Sequence, residues 1–251
     1  MDKQTELLQK RLIDLSHYAQ YRNTITYSDF LNLNEIHIFH QIPQSNLITS
    51  SALFGGYEYS ERQMISFIPD ALYYENNYPI MNLRIMPKMK KFSEKLSHRD
   101  YLGSILGLGI ERSKIGDILV EEDYAIVFVH ETMGDYIINH LTTVKNTVVE
   151  VVNTPELIEK YEPNFQEVSG TVSSIRLDSV LALVLPESRS KLIRYIESGK
   201  IYVNGKLITT NAYKLHEGDL ISIRGVGRCQ FVGIRNKTKK DRFFITIKKF
   251  I

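Results

Sequence analysis

Between Arg176 and Arg224 the chain is punctuated so closely that few folds remain open to it. Arg176 to about Leu185 has helical apolar spacing and stops at Pro186. Ser188, whose hydroxyl can accept from the free N–H groups of a first helical turn, opens a second helix that stops at Gly199. Ile201-Tyr202-Val203 then reads as a strand, and Asn204-Gly205 turns it back. A second glycine turn, Glu217-Gly218-Asp219, precedes a strand from Leu220 to Arg224. The helices and the turn after them carry Arg176, Arg189, Lys191, Arg194, Lys200, Asn204 and Lys206. A compact scaffold with a basic helical face and no nucleophile or metal constellation points to a reader of phosphate backbones.

The charge supports that reading. The net of +2 hides an asymmetry: residues 171–251 carry 16 Lys and Arg against 6 Asp and Glu, whereas residues 1–170 carry 15 against 23. A basic block at one end of an acidic body is the pattern of a polyanion-binding module joined to other domains.

Composition sets the rest of the frame. The 251 residues can hold two or three small cores, and 43% apolar with 24% charged residues is ordinary for a globular protein. No apolar run approaches the ~20 residues that span a bilayer. The first fifteen residues read as an amphipathic helix with charges throughout, unlike a signal peptide. One cysteine, Cys229, leaves no disulfide framework and no cysteine zinc site, and a reducing cytoplasm fits.

The predicted fold is α+β and multidomain, with an N-terminal α+β domain over residues 1–76, a ferredoxin-like middle domain over 77–168, and a basic domain over 169–251 that ends in a basic tail. The middle order is strand 80–86 closed by Pro87, helix 98–107, hairpin strands 116–121 and 124–130, helix 132–141 and strand 146–152. That is the split βαβ order used by RNA-recognition motifs. Tyr124 and Phe128 share one face of the third strand and are candidates either for base stacking or for the core. Earlier come a helix over 3–20, a second after Ser28-Asp29-Phe30, and strands near 47–54 and 64–68 around Gly55-Gly56.

Few residues suggest reaction chemistry. His98-Arg99-Asp100 resembles a kinase catalytic triplet, but the Gly-rich loop, strand lysine and second metal-binding aspartate motif of a kinase are missing. Gly107-Leu108-Gly109 lacks the third glycine of a dinucleotide fingerprint. His37 and His40 have no third ligand at a useful distance in the sequence. Glu61-Arg62 reads as an ion pair or an RNA contact. No catalytic residue, metal site or cofactor is expected.

Two resemblances cover most of the chain. Arg176-Leu177-Asp178, Ser188-Arg189-Ser190, Gly199-Lys200, Val203-Asn204-Gly205-Lys206 and Glu217-Gly218-Asp219 stand in the order and spacing of the S4 RNA-binding domain. Phe92 to Val120, with Ser97-His98-Arg99-Asp100, Gly107-Leu108-Gly109, Arg112 and Ile115-Gly116-Asp117-Ile118, is similar to the YlmH family, as are Tyr27 to Leu31, Phe54-Gly55-Gly56-Tyr57 and Glu61-Arg62. The resemblance implies a bacterial, cytoplasmic, non-enzymatic protein, taken here as a monomer. It implies binding to rRNA and peptidyl-tRNA on the large ribosomal subunit in the rescue of stalled ribosomes. Genes of the family often neighbour cell-division genes. The rivals are an RNA-modifying enzyme that docks through its S4 domain and a cell-division scaffold. The first would need a second catalytic motif that the chain lacks, and the second leaves the basic block unexplained.

Overall fold

The computed structural model describes residues 3–70, 75–89, 94–154, 163–185, 187–238 and 241–250. The chain divides into two compact units, Met1–Tyr161 and Glu162–Ile251.

The first unit starts with α1 (Lys3–Arg22), a short strand β1 (Thr26–Tyr27) and α2 (Leu33–His40). Asn32 caps α2: its side-chain oxygen accepts from the backbone of Asn34 and Glu35, and the Glu35 carboxylate accepts from Asn32 N at 2.7 Å. This reciprocal box satisfies donors that an eight-residue helix would otherwise leave bare. Strands β2 (Ser50–Phe54) and β3 (Met64–Ile68) follow, and the small sheet has the order β1-β3-β2. Leu12, Ala19, Ile36, Phe39, Ile65 and Phe67 form its core under the two helices.

The middle part of the same unit contains β4 (Ile80–Pro87), α3 (His98–Leu106), β5 (Ile115–Val120), β6 (Ala125–His130), α4 (Glu131–His140), β7 (Thr143–Val144) and β8 (Thr147–Asn153). The sheet runs β5-β6-β4-β8-β7, antiparallel at each step. β7 was not expected from the sequence; it pairs with β8 across a tight turn in which Lys145 takes φ 56°. Leu83, Ile85, Val127, Val129, Val149 and Val151 point to one face, where Tyr101, Ile105 and Ile137 cover them from the helices.

The opposite face of this sheet is also covered. Ile126 and Phe128 of β6 pack with Phe30, Tyr57 and Met64 from the N-terminal part. β6 is thus buried on both sides, which explains its unbroken apolar run from Ala125 to Val129.

The C-terminal unit contains β9 (Phe165–Val172), α5 (Leu177–Val184), α6 (Arg189–Glu197), β10 (Ile201–Val203), β11 (Lys206–Leu207), β12 (Leu220–Ile223), β13 (Gly227–Lys237) and β14 (Phe243–Phe250). Its six-stranded sheet has the order β11-β10-β12-β13-β14-β9. The stretch read from sequence as a basic tail therefore forms strands. β14 pairs on one side with β13 and on the other with all eight residues of β9, which runs across the expected boundary at 168/169. Cys229 is fully buried on β13 beside Phe231, Ile245 and Ile247. α6 is too short to be stable alone. It is held by Leu192 and Ile196, both fully buried, each contributing about 1.5–3 kcal/mol through removal from water.

Candidate nucleic-acid interface

α6 presents the basic residues picked out by the sequence pattern. The Ser188 hydroxyl accepts from Lys191 N at 3.4 Å, and Gly199, with φ 69°, ends the helix in the left-handed conformation. With Leu192 and Ile196 turned inward, Lys191 and Arg194 stand exposed one turn apart. Lys191 is not idle: its ammonium lies 2.7 Å from Glu187, whose hydrogen bond and charge raise the lysine's pKa. Lys200 follows the helix with Nζ 5.2 Å above the Tyr195 ring. Lys206 is exposed at the β10–β11 turn. The Arg189 backbone starts α6, while its side chain lies outside the described residues.

Two of the expected contact residues serve the fold. Arg176 grips Asp178 with two parallel hydrogen bonds, Nε to Oδ1 at 3.1 Å and Nη2 to Oδ2 at 3.0 Å. Asp178 is buried and also accepts from Ser179 N at 2.9 Å at the start of α5. Asn204 takes φ 48° in the turn. Its amide donates to Asp219 at 2.8 Å, and its oxygen accepts from Leu220 N at 2.9 Å. Asp219 in turn accepts from His216 N at 2.8 Å, so Asn204 ties the two glycine turns together. The asparagine that sequence reading placed among the RNA contacts is the residue that closes the turn.

The middle sheet does not offer its central aromatic to a base. Phe128 is fully buried, and Tyr57 stacks on it with centroids 5.0 Å apart. Gly56, at φ 102°, lies so close that an added Cβ would come within 2.2 Å of the Phe128 ring. The half-buried Tyr124 lies under the Arg84 guanidinium, 4.2 Å from its ring centre.

The other motifs converge on this junction. The Asp117 carboxylate accepts from Tyr57 Oη at 2.9 Å, Glu61 N at 2.7 Å and Arg62 N at 3.0 Å. Arg62 donates to the carbonyls of Ile115 and Phe30, each at 2.9 Å, and of Arg112 at 3.2 Å. Arg112 donates to Ile115 O and Gly116 O. Burial, then the neighbouring Arg62 charge, push the Arg112 guanidinium down to about 10, and Asp117 works against that shift. Lys114 reaches back to Asp29 at 2.6 Å. Glu61-Arg62 thus helps lock the N-terminal part to the middle sheet through the Asp117 carboxylate and the backbone carbonyls that Arg62 reaches.

His98-Arg99-Asp100 starts α3. Asp100 accepts from Ser97 N at 2.8 Å and Ser97 Oγ at 2.7 Å, and these bonds hold its carboxyl below the usual range. The triplet's aspartate therefore works as a helix cap. Among the described residues, no three His, Cys, Asp or Glu side chains gather where they could hold a metal ion.

The helix pair α5 and α6, with the β10–β11 turn that follows it, defines an RNA-binding module of the S4 type; residues 175–221 match the S4 domain family. Residues 75–157 match the family described as "Putative RNA-binding domain in YlmH". The chain is 32% identical over 238 residues to "Ribosome-associated protein quality control protein P2" of Bacillus subtilis (strain 168), covering 92% of this chain and 88% of that protein. It belongs to the YlmH family. Among solved structures, "Cell division protein ylmH from Streptococcus pneumoniae" shares the fold at a TM-score of 0.54 and 18% identity, over 64% of this chain and 97% of that one.

The S4 match changes where the positive charge is seen to lie. Residues 175–221 hold 7 Lys and Arg against 5 Asp and Glu, whereas residues 222–251 hold 9 against 1. The basic excess of the C-terminal unit lies mostly beyond the matched module, in β13, β14 and the residues joining them.

Proposed function

We propose that the chain is a non-catalytic RNA-binding protein of the ribosome. Its C-terminal unit holds ribosomal RNA and peptidyl-tRNA on the large subunit, and it acts in the quality control of stalled ribosomes. One observation carries this reading. An S4 module with an exposed basic helix sits in a chain that matches, along nearly its whole length, a relative named for ribosome-associated quality control. Arg189, Lys191, Arg194, Lys200 and Lys206 are the proposed phosphate contacts, with Arg176 and Asn204 shaping the surface that bears them. On this reading the protein is a cytoplasmic monomer of three domains, an N-terminal α+β domain, an RRM-like middle domain and the S4 domain. The last boundary belongs near residue 162, so that β9 stays with β14.

The test is sedimentation of the purified chain with isolated large and small ribosomal subunits across a salt series. Binding to the large subunit, lost steeply as salt rises, is expected. Absence of binding to either subunit at low salt contradicts the reading.

A further inference from the structure

The three-stranded ribbon β9–β14–β13 lies outside the S4 match and, with the residues joining β13 to β14, carries most of the unit's net positive charge. We propose that this ribbon is a second RNA-contacting surface, which takes a phosphate backbone across Arg228 and Lys248 on one face, with Lys237 a further contact at the far end of the ribbon on its other face. The inference rests on the reading of the C-terminal unit as an RNA binder and adds a second site to it.

The first argument is the way these three cations are held. The Arg228 guanidinium lies 4.8 Å from the Phe250 ring centre, Lys248 Nζ 5.0 Å from that of Phe165, and Lys237 Nζ 4.9 Å from that of Phe243. Phe165 and Phe250 meet edge to face at 4.9 Å, so the first two cations sit over one joined aromatic pair. A long cationic side chain resting on a ring has less rotamer freedom to lose when an anion arrives, and its charge stays outward.

Charge is the second argument. Two ion pairs on the ribbon join Arg235 with Glu167 and Lys237 with Asp241. Among the described residues, no carboxylate lies within ion-pair distance of Lys248 or Lys249. A single acidic residue across 222–251 cannot balance nine basic ones, so the surface attracts a polyanion.

Continuity selects RNA among polyanions. β13 pairs with β12, and β12 with β10, so the ribbon extends the sheet that carries the β10–β11 turn. An RNA held at α6 and this turn can continue along the same sheet.

The test measures binding of the full chain to large-subunit ribosomal RNA across a salt series, alongside Arg228→Gln/Lys237→Gln/Lys248→Gln and, separately, Lys191→Glu/Arg194→Glu. Each phosphate neutralised adds roughly 0.7–0.9 to the steepness of the log–log plot. The ribbon variant should therefore lose roughly two to three units of slope and bind more weakly at low salt. Ultraviolet crosslinking of the unaltered chain should place RNA adducts on peptides from 227–237 or 243–250, a readout that does not depend on any variant folding. An unchanged slope together with no adduct on those peptides overturns the ribbon, even if the α6 variant loses binding. If neither variant changes binding and the only adducts lie in the first unit, the reading of the C-terminal unit fails instead. Wild-type chain that binds anionic phospholipid vesicles while showing no ribbon adducts to RNA assigns the charge to a membrane surface and also overturns the proposal.

Discussion

Tyr57 and Phe128 lie almost flat against one another, their ring planes 20° apart. One comes from the loop after β2, the other from the centre of the middle sheet. Through this pair the N-terminal part covers the sheet face that a base-stacking domain leaves open. Surfaces other than this face, such as its loops and helices, are what the middle part leaves open to RNA.

Replacing Phe128 with Ala should therefore act on stability. A fully buried phenylalanine lost to alanine costs about 3–5 kcal/mol. Chemical denaturation should show that loss. RNA binding per folded molecule should match wild type, and a selective loss of RNA affinity in a fully folded variant would reverse the assignment.

Asp117→Asn tests the junction. The substitution keeps the size but removes the charge that offsets Arg62 and Arg112, and it leaves one of three donors poorly served. A loss of about 2–4 kcal/mol is expected. Hydrogen exchange should quicken together in β3 and β5, because both are tied to the same carboxylate through their neighbours.

His130 makes the first unit sensitive to acid. Its Nδ1 accepts from Thr132 N at 3.3 Å and so caps α4 in the neutral form. Burial and the Lys114 charge lower its pKa, against smaller opposing effects of Asp29 and Glu131. The folded histidine thus binds its proton less readily than the unfolded one. Its contribution is complete above the unfolded value of about 6.5 and falls as pH drops below it. Melting temperature should decline between about pH 6.5 and 5, and His130→Asn, which caps without titrating, should flatten that decline.

On α6, Arg194→Glu should weaken binding to ribosomal RNA by about 1–3 kcal/mol while the melting temperature holds, since the side chain is exposed. Glu187→Gln should do the opposite. It frees the Lys191 ammonium for phosphate, and tighter binding at low salt in a filter assay is the expected sign.

What could be read from the sequence follows the range of the forces involved. Ser188, Gly199 and Asn204-Gly205 act within a few residues, so α6 and its turn were legible almost to the residue. The same short-range reading did not show that Asn204 ties its turn to Asp219, because that partner lies fifteen residues away. The ribbon was not legible. β9 and β14 pair across more than seventy residues, and β13 carries register shifts between Phe231 and Gly233 and between Ile234 and Asn236 that break its alternation. The covering of Phe128 did leave a trace: Ala125 to Val129 shows no polar alternation, as expected of a strand buried on both faces.

Cys229 offers a practical advantage. Burial pushes its thiol up to about 12, so at pH 8 only about one molecule in ten thousand would carry the reactive thiolate, and that sulfur is sealed inside the sheet. A cysteine introduced at any exposed position would then be the one site open to a maleimide dye or spin label. The protein can be tracked on the ribosome by fluorescence or distance spectroscopy with its native thiol left in place.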